Sequence, residues 1–383
     1  MPQPTKLPTV HAPADPAPVL LVTAFYPISR SRYPQHQYQS WMRHLLSRVT
    51  GSLYMFTTPD MAESIRSLRG SLPIYLNTSY ASVHDIPVIK DLLHEFPGLY
   101  TKSREAQRFA AEMSMIRTAK PWFLSEALRH VIKGGGGALS NMTAEYRYAF
   151  WMDAGGMREN SIFSDWPSVD RLDYVWEMGS KSTGMESQDL MFVPVDRQPA
   201  QRFRYWQPSR GPIQGASEFS EGTFFGGPPQ AIYWWTEIFY KTLKEFLIAG
   251  HLIESERGIT NAVMFMHATR FITVYNRDPT AYPTHNRHGS YGYCGDPWYY
   301  FTFFLAHEGE REEQNVLWND AHWRWDFWRK RRYCRMARPL TIKDVLRRTY
   351  GSHWTPPTPP IPNQTFDDDP KDMKLTQKAT VVS

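Results

Sequence analysis

Continuous apolar runs, more than strict alternation, mark the strands expected of this chain. Val19–Phe25 (VLLVTAF) is apolar or β-branched throughout and is ended by Pro27, as suits a strand covered on both faces. LYMFT at 53–57, closed by Pro59, repeats the pattern, and PIYL at 73–76 is a shorter third run. Between the first two, Tyr38, Trp41, Met42, Leu45 and Leu46 recur at helical spacing over 37–49 until Gly51 stops them. Asp85 is expected to cap a short helix up to His94. Ser103 should cap a longer one that Pro121 restarts or bends and Gly134 to Gly137 end. FWM at 150–152, LDYVW at 172–176 and GTFF at 222–225 read as further strands, 230–248 and 256–267 as helices, and 271–275 as a strand. Strand and helix alternate through about residue 180, which predicts an α/β sandwich with a mostly parallel central sheet, helices on both faces and mixed edges later.

The ends read differently. Residues 1–18 hold six prolines and few large apolar side chains, a flexible leader or stem, so the single folded domain is expected over 19–350. Its last part, 297–350, turns aromatic and basic, with Trp318, Trp323, Trp325, Trp328 and the run Arg329 to Arg332. Residues 351–383 are proline-rich and then acidic, a disordered tail. No internal repeat is present.

At 383 residues and 42% hydrophobic content the chain can bury a large core. Aromatics are 15% of residues; Trp and Tyr suit carbohydrate or flat-ring ligands, although most simply build cores. The net charge of +5 favours weak attraction to phosphates over a dedicated nucleic-acid surface. Two cysteines, Cys294 and Cys334, exclude a cysteine-rich zinc site; one disulfide could form but does not follow from the sequence. No apolar run is long enough to cross a membrane. Asn77, Asn141 and Asn363 head N-glycosylation tripeptides, which points to a secretory lumen if an N-terminal anchor is missing and to the cytoplasm otherwise.

The chemistry centres on YAFWMDAGGMR at 148–158, where an aromatic strand ends in one carboxylate, Asp153, followed by Gly155 and Gly156. In an open parallel sheet the ligand crevice lies beyond the carboxyl ends of the strands. Asp153 there could hold a divalent ion, meet a sugar hydroxyl or cap a turn. A second carboxylate two residues on would complete an Asp-x-Asp diphosphate-metal pattern, but that position is Gly155. EGTFFGG at 221–227 places Glu221 beside Gly222, Gly226 and Gly227, which allow close backbone approach to an acceptor sugar, with Phe224 or Phe225 to stack on its ring. Glu254 and Glu256 open a helix; they cap it or meet the acceptor hydroxyl as base. His285 or His288 could supply the missing metal contact, and Arg30, Arg32 and Arg158, just past strand ends, could steady phosphates. Neither G-x-G-x-x-G, a P-loop, G-x-S-x-G nor H-E-x-x-H occurs.

Taken in order, LVTAFY at 21–26, Trp41, YMFT at 54–57, WMDAG at 151–155, Arg158, EGTFFGG at 221–227 and the helix after Glu254 resemble the HtrL/YibB family over roughly residues 19–280. The resemblance implies glycosyltransferases of the GT-A type, with a nucleotide-binding α/β fold and an acid at Asp153. Under it Thr23, Arg30, Asp153 and Arg158 face a nucleotide-sugar donor, residues 221–227 floor the site of a glycan acceptor, and Glu254 or Glu256 meets it. Mn²⁺ or Mg²⁺ would sit at Asp153. The competing expectation is a carbohydrate-binding or scaffold protein of the same fold without transfer; nucleic-acid binding through Arg329 to Arg332 ranks last.

Overall fold

The computed structural model describes residues 18–28, 30, 33–100, 111–132, 146–158, 162–275, 294–323 and 333–357. Strands β1 (Val19–Phe25), β2 (Ser52–Thr57) and β3 (Ile74–Asn77) follow the apolar runs closely, with α1 (Gln35–Arg48) and α2 (Ala62–Arg69) between them. After α3 (Pro87–Glu95) and α4 (Ala111–Ile132) comes β4 (Tyr148–Met152). Next are α5 (Val169–Thr183), β5 (Met191–Phe192), β6 (Phe224–Gly227), α6 (Pro229–Ile248), α7 (Glu256–Met266) and β7 (Phe271–Thr273). The chain continues through α8 (Tyr300–Phe304), α9 (Glu308–Trp323), β8 (Leu340–Thr341) and α10 (Ile342–Tyr350).

The eight strands form one sheet in the order β3-β2-β1-β4-β6-β5-β7-β8. Its first four strands are parallel, but β6 runs antiparallel to both β4 and β5, and β8 antiparallel to β7. The sheet is therefore mixed, which corrects the mostly parallel expectation. An apolar run carries no direction: β6 lies between β4 and β5 and runs against both, and its own residues do not mark that reversal. The expected strand at 172–176 is also wrong, since Leu172, Val175, Trp176 and Gly179 are the buried face of α5 at helical spacing.

Two cores cover the sheet. Leu20 and Val22 of β1 pack with Phe123 and Leu124 of α4 and Trp235 and Phe239 of α6. Val19 and Leu21 face Leu45 and Leu46 of α1 and Trp176 of α5. Alternate residues of one strand thus serve both layers, as a strand's twofold repeat requires. The aromatic-basic segment belongs to the second core through Tyr299, Phe301 and Phe304, and Glu310 of α9 accepts from the Ser164 backbone at 2.7 Å. Cys294 and Cys334 are joined by a disulfide. Trp354 is buried against Phe265 and Tyr350, so the packed chain runs past the expected boundary at 350. Asn77 is buried, and its Nδ2, the atom a glycan would need, donates to the Tyr54 hydroxyl at 3.0 Å. Asn141 and Asn363 lie outside the described residues.

Pro121 sits in the middle of α4 and removes one rung of its ladder. Just past it the Tyr240 hydroxyl of α6 inserts into the ladder, accepting from Trp122 N–H at 3.3 Å and donating to Thr118 O at 2.8 Å. This interrupted turn carries Lys120.

Candidate functional site

Asp153 leaves β4 at its carboxyl end, where the order β3-β2-β1-β4 passes the point at which the chain switches sides about β1. Crevices at such points are where open α/β sheets take ligands. Its backbone N–H donates to Thr223 O at 2.8 Å, which ties the turn after β4 to the segment entering β6. The carboxylate accepts from Trp151 Nε1 at 2.7 Å through Oδ1, and Lys120 Nζ lies 2.9 Å from Oδ1 and 3.2 Å from Oδ2. The same ammonium donates to Gly222 O at 2.8 Å and stands 3.6 Å from Glu256 Oε1. With its side chain only 5% exposed, Lys120 is the buried cation on which three separate segments converge.

Glu256 is at the first position of α7, where Ser255 caps the helix by accepting from Gly258 N–H at 3.3 Å. Burial works against its charge, but Lys120, then Arg117 and Arg257, outweigh that and hold the carboxyl below its usual range. Glu221 behaves in the opposite way. It is 2% exposed, its Oε2 accepts from Thr223 N–H at 2.8 Å and Thr223 Oγ1 at 2.6 Å, and its Oε1 has no hydrogen-bond partner. Burial, with Asp153 adding and the Thr223 hydroxyl opposing, pushes it up to about 7. Arg257 pairs with Glu218 and donates to Ser220 O at 3.3 Å.

Arg158 stands in the segment that follows Asp153 out of β4. Its guanidinium carbon is 4.2 Å from the centre of the Trp41 ring, 5.2 Å from Tyr299 and 5.4 Å from Tyr33. Its Nε is buried without a hydrogen-bond partner. Stacking fixes the plane of the guanidinium without using its N–H groups, an arrangement suited to an anion. Tyr299 is buried; desolvation raises its hydroxyl above the ordinary range, Arg158 opposes, and Glu221 and Asp153 add to the rise.

Asp153, Glu221, Gly222 and Glu256 are thus drawn together about Lys120 and Thr223, while Arg158 is held by Trp41, Tyr33 and Tyr299. Glu254 lines a small cavity with Tyr100, Ser114, Thr118 and Glu256. Arg30 is exposed beyond β1. Three expectations are corrected. Phe224 is fully buried, stacked between Phe150 at 4.9 Å and Phe301 at 4.7 Å, and has no face for a sugar. Gly226 and Gly227 serve strand packing: a Cβ on Gly226 would fall 2.1 Å from Ala149 O, and one on Gly227 2.8 Å from Leu190 O. Thr23 is fully buried within β1 and exposes no atom to a ligand. His285, His288, Arg32 and Arg329 to Arg332 lie outside the described residues.

Lys120 is the residue the sequence reading missed. Its one signal was a lone lysine before a proline inside the apolar stretch TAKPWFL at 118–124. It also bears on the expected divalent ion. Among the described residues no three His, Cys, Asp or Glu side chains converge as a metal site. Both oxygens of Asp153 already face the Lys120 ammonium, so the residues described here do not fit such an ion, and no step is routed through one.

No protein-family model matches the chain, and no curated protein matches it. Among solved structures, mouse xyloside xylosyltransferase 1 in its apo form is similar at 12% identity over 69% of this chain and 87% of that one, with a TM-score of 0.39. A likeness that small carries no argument about activity.

Proposed function

We propose that this chain is a glycosyltransferase of the kind its resemblance to the HtrL/YibB family implies, moving a sugar from a nucleotide-sugar donor to a glycan hydroxyl. The observation that carries the reading is the convergence of Lys120, Asp153, Glu221 and Glu256 at the carboxyl edge of the sheet. In this reading Arg158 meets the donor diphosphate, and Asp153, held by Lys120 and Trp151, orients the donor. The acceptor oxygen bonds to the anomeric carbon as the bond to the diphosphate oxygen breaks. The diphosphate leaves with the electron pair, and the acceptor proton passes to a carboxylate. Glu221 suits that last role better than Glu254 or Glu256, because a base titrating near neutrality can accept a proton and give it back, whereas Glu256 is held ionised. The Cys294–Cys334 disulfide supports a secretory-lumen setting.

A second reading, carbohydrate binding without transfer, is favoured by the sealing of Glu221 at 2% exposure. Calorimetry with UDP, GDP and CDP, each with and without Mn²⁺, separates the two. The transferase reading expects one nucleotide to bind the folded protein and Arg158→Ala to weaken it. Absence of binding by all three sinks it.

A further inference from the structure

Lys120 Nζ stands inside a cage of oxygens drawn from three segments. Asp153 at the end of β4 offers Oδ1 at 2.9 Å and Oδ2 at 3.2 Å, the segment entering β6 offers Gly222 O at 2.8 Å, and α7 offers Glu256 Oε1 at 3.6 Å. The Trp151 ring closes a further side, its centre 5.9 Å from the nitrogen. A Cβ at Gly222 would stand 3.1 Å from Glu256 Oε1 and 3.0 Å from the Arg257 side chain, so the glycine lets these side chains of α7 close in. Two carboxylates and a backbone carbonyl are the hard oxygen donors that hold Mg²⁺, Ca²⁺ or Mn²⁺, with water completing the shell. An ion chelated by both Asp153 oxygens would lie within roughly 1 Å of Nζ, so ammonium and ion exclude each other.

We propose that Lys120 is a resident cation standing where a divalent ion would sit, and that Asp153 takes no metal while the ammonium is present. Four cage oxygens surround its three N–H groups, so none is left for a ligand. A single charge against two carboxylates leaves the cage without surplus positive charge for a diphosphate, and Arg158 has to supply it. Asp153 keeps one role toward a ligand. Its Oδ1 is engaged by Trp151 Nε1 and Lys120, its Oδ2 by Lys120 alone, and the side chain is 32% exposed, so Oδ2 can accept from one ligand hydroxyl. Lys120 is a positioning residue in this scheme, because it fixes the carboxylate without touching the ligand. The metal assignment stands apart from the transferase reading above; metal-free binding of a nucleotide rests on it.

The test is titration of the full chain with Mn²⁺, the free ion being followed by electron paramagnetic resonance, beside thermal unfolding in Mn²⁺ and in EDTA. In the parent, Asp153→Asn should leave the Mn²⁺ isotherm unchanged. Lys120→Ala should gain one Mn²⁺ and unfold about 2 °C or more higher in Mn²⁺ than in EDTA, and Asp153→Asn in the same chain should abolish both effects. A lysine with a structural role alone would give the loss of stability without the exchange. Arg117 and Arg257 also act on Glu256 and weaken the opened cage for a cation, so each comparison keeps both. A Mn²⁺ lost from the parent on Asp153→Asn, or none gained by folded Lys120→Ala, overturns the proposal. Where Lys120→Ala is unfolded in EDTA, failure of Mn²⁺ to restore its circular dichroism does the same. Calorimetry of the parent with UDP, GDP and CDP should give affinities that agree within about twofold in EDTA and in Mn²⁺. A rise of about tenfold in Mn²⁺ that Asp153→Asn removes also overturns it. If no nucleotide binds, the transferase reading fails while the Mn²⁺ titrations still decide the cage.

Discussion

Replacing Glu221 by Gln should make the protein's stability respond differently to pH, and the size of the effect follows from the burial of that carboxyl. In the folded chain it titrates near 7, against 4.5 for a solvated glutamate. Below about pH 4.5 the group is protonated whether the chain is folded or not, and contributes no pH dependence. As pH rises from there to 7, the unfolded chain releases the proton while the native state still holds it, so stability falls by about 1.4 kcal/mol per pH unit. Across that interval the loss comes to about 3 kcal/mol, and above pH 7 it stays constant. Gln keeps an oxygen for the two Thr223 donors and does not titrate. Its amide N–H groups enter a place where Oε1 has no partner, a cost that does not vary with pH. Urea unfolding of both proteins at about pH 5, 6, 7 and 8 should therefore show Glu221→Gln gaining on the parent by about 3 kcal/mol over the range. An infrared band of a protonated carboxyl, present in the parent near pH 6 and missing in the variant, would locate the proton. Parallel stability profiles would refute the reasoning, because they would mean that Glu221 is solvated or paired in the native state.

Other residues of the site and its supports give further outcomes. Lys120→Met should cost about 3–5 kcal/mol, since it strands Asp153 and Glu256 together; Asp153→Asn in the same chain should recover part of this in a double-mutant cycle followed by chemical unfolding. Cys294→Ser opens a disulfide spanning 40 residues, and chain entropy puts the loss at about 4 kcal/mol. Reductant should reproduce this loss in the parent but not in the variant. Gly226→Ala should destabilise by about 3 kcal/mol or more in thermal unfolding, because the Cβ has nowhere to go between β4 and β6.

How much of this was legible depended on the range of the interaction that decided it. β1 was predicted to the residue, and α1, β2, α6 and α7 to within a few, because apolar runs, helical spacing and flanking Pro or Gly are local chemistry. Asp153 was found in the same way, as a charge at the end of an aromatic strand. LDYVW at 172–176 misled for a local reason too, since a short apolar run fits either period, and only the partners of Leu172, Val175 and Trp176 show it to be helical. The direction of β6 had no local signature at all.

The sequence by itself determined which segments become strands and helices, that both faces of β1 are covered, and that a carboxylate emerges where the sheet ends. Tertiary structure alone decided what that carboxylate meets. Lys120 is 33 residues from Asp153 and 102 from Gly222, and it reaches both only because α4 crosses the sheet edge at a turn broken by Pro121 and repaired by Tyr240. Tertiary packing likewise turned Phe224 from a sugar platform into core, and buried Glu221, expected in the acceptor floor, so that it titrates near neutrality. Spacing along a chain sets local geometry, but the charge state of an acid depends on the water it loses and the partners it gains, and the fold sets both.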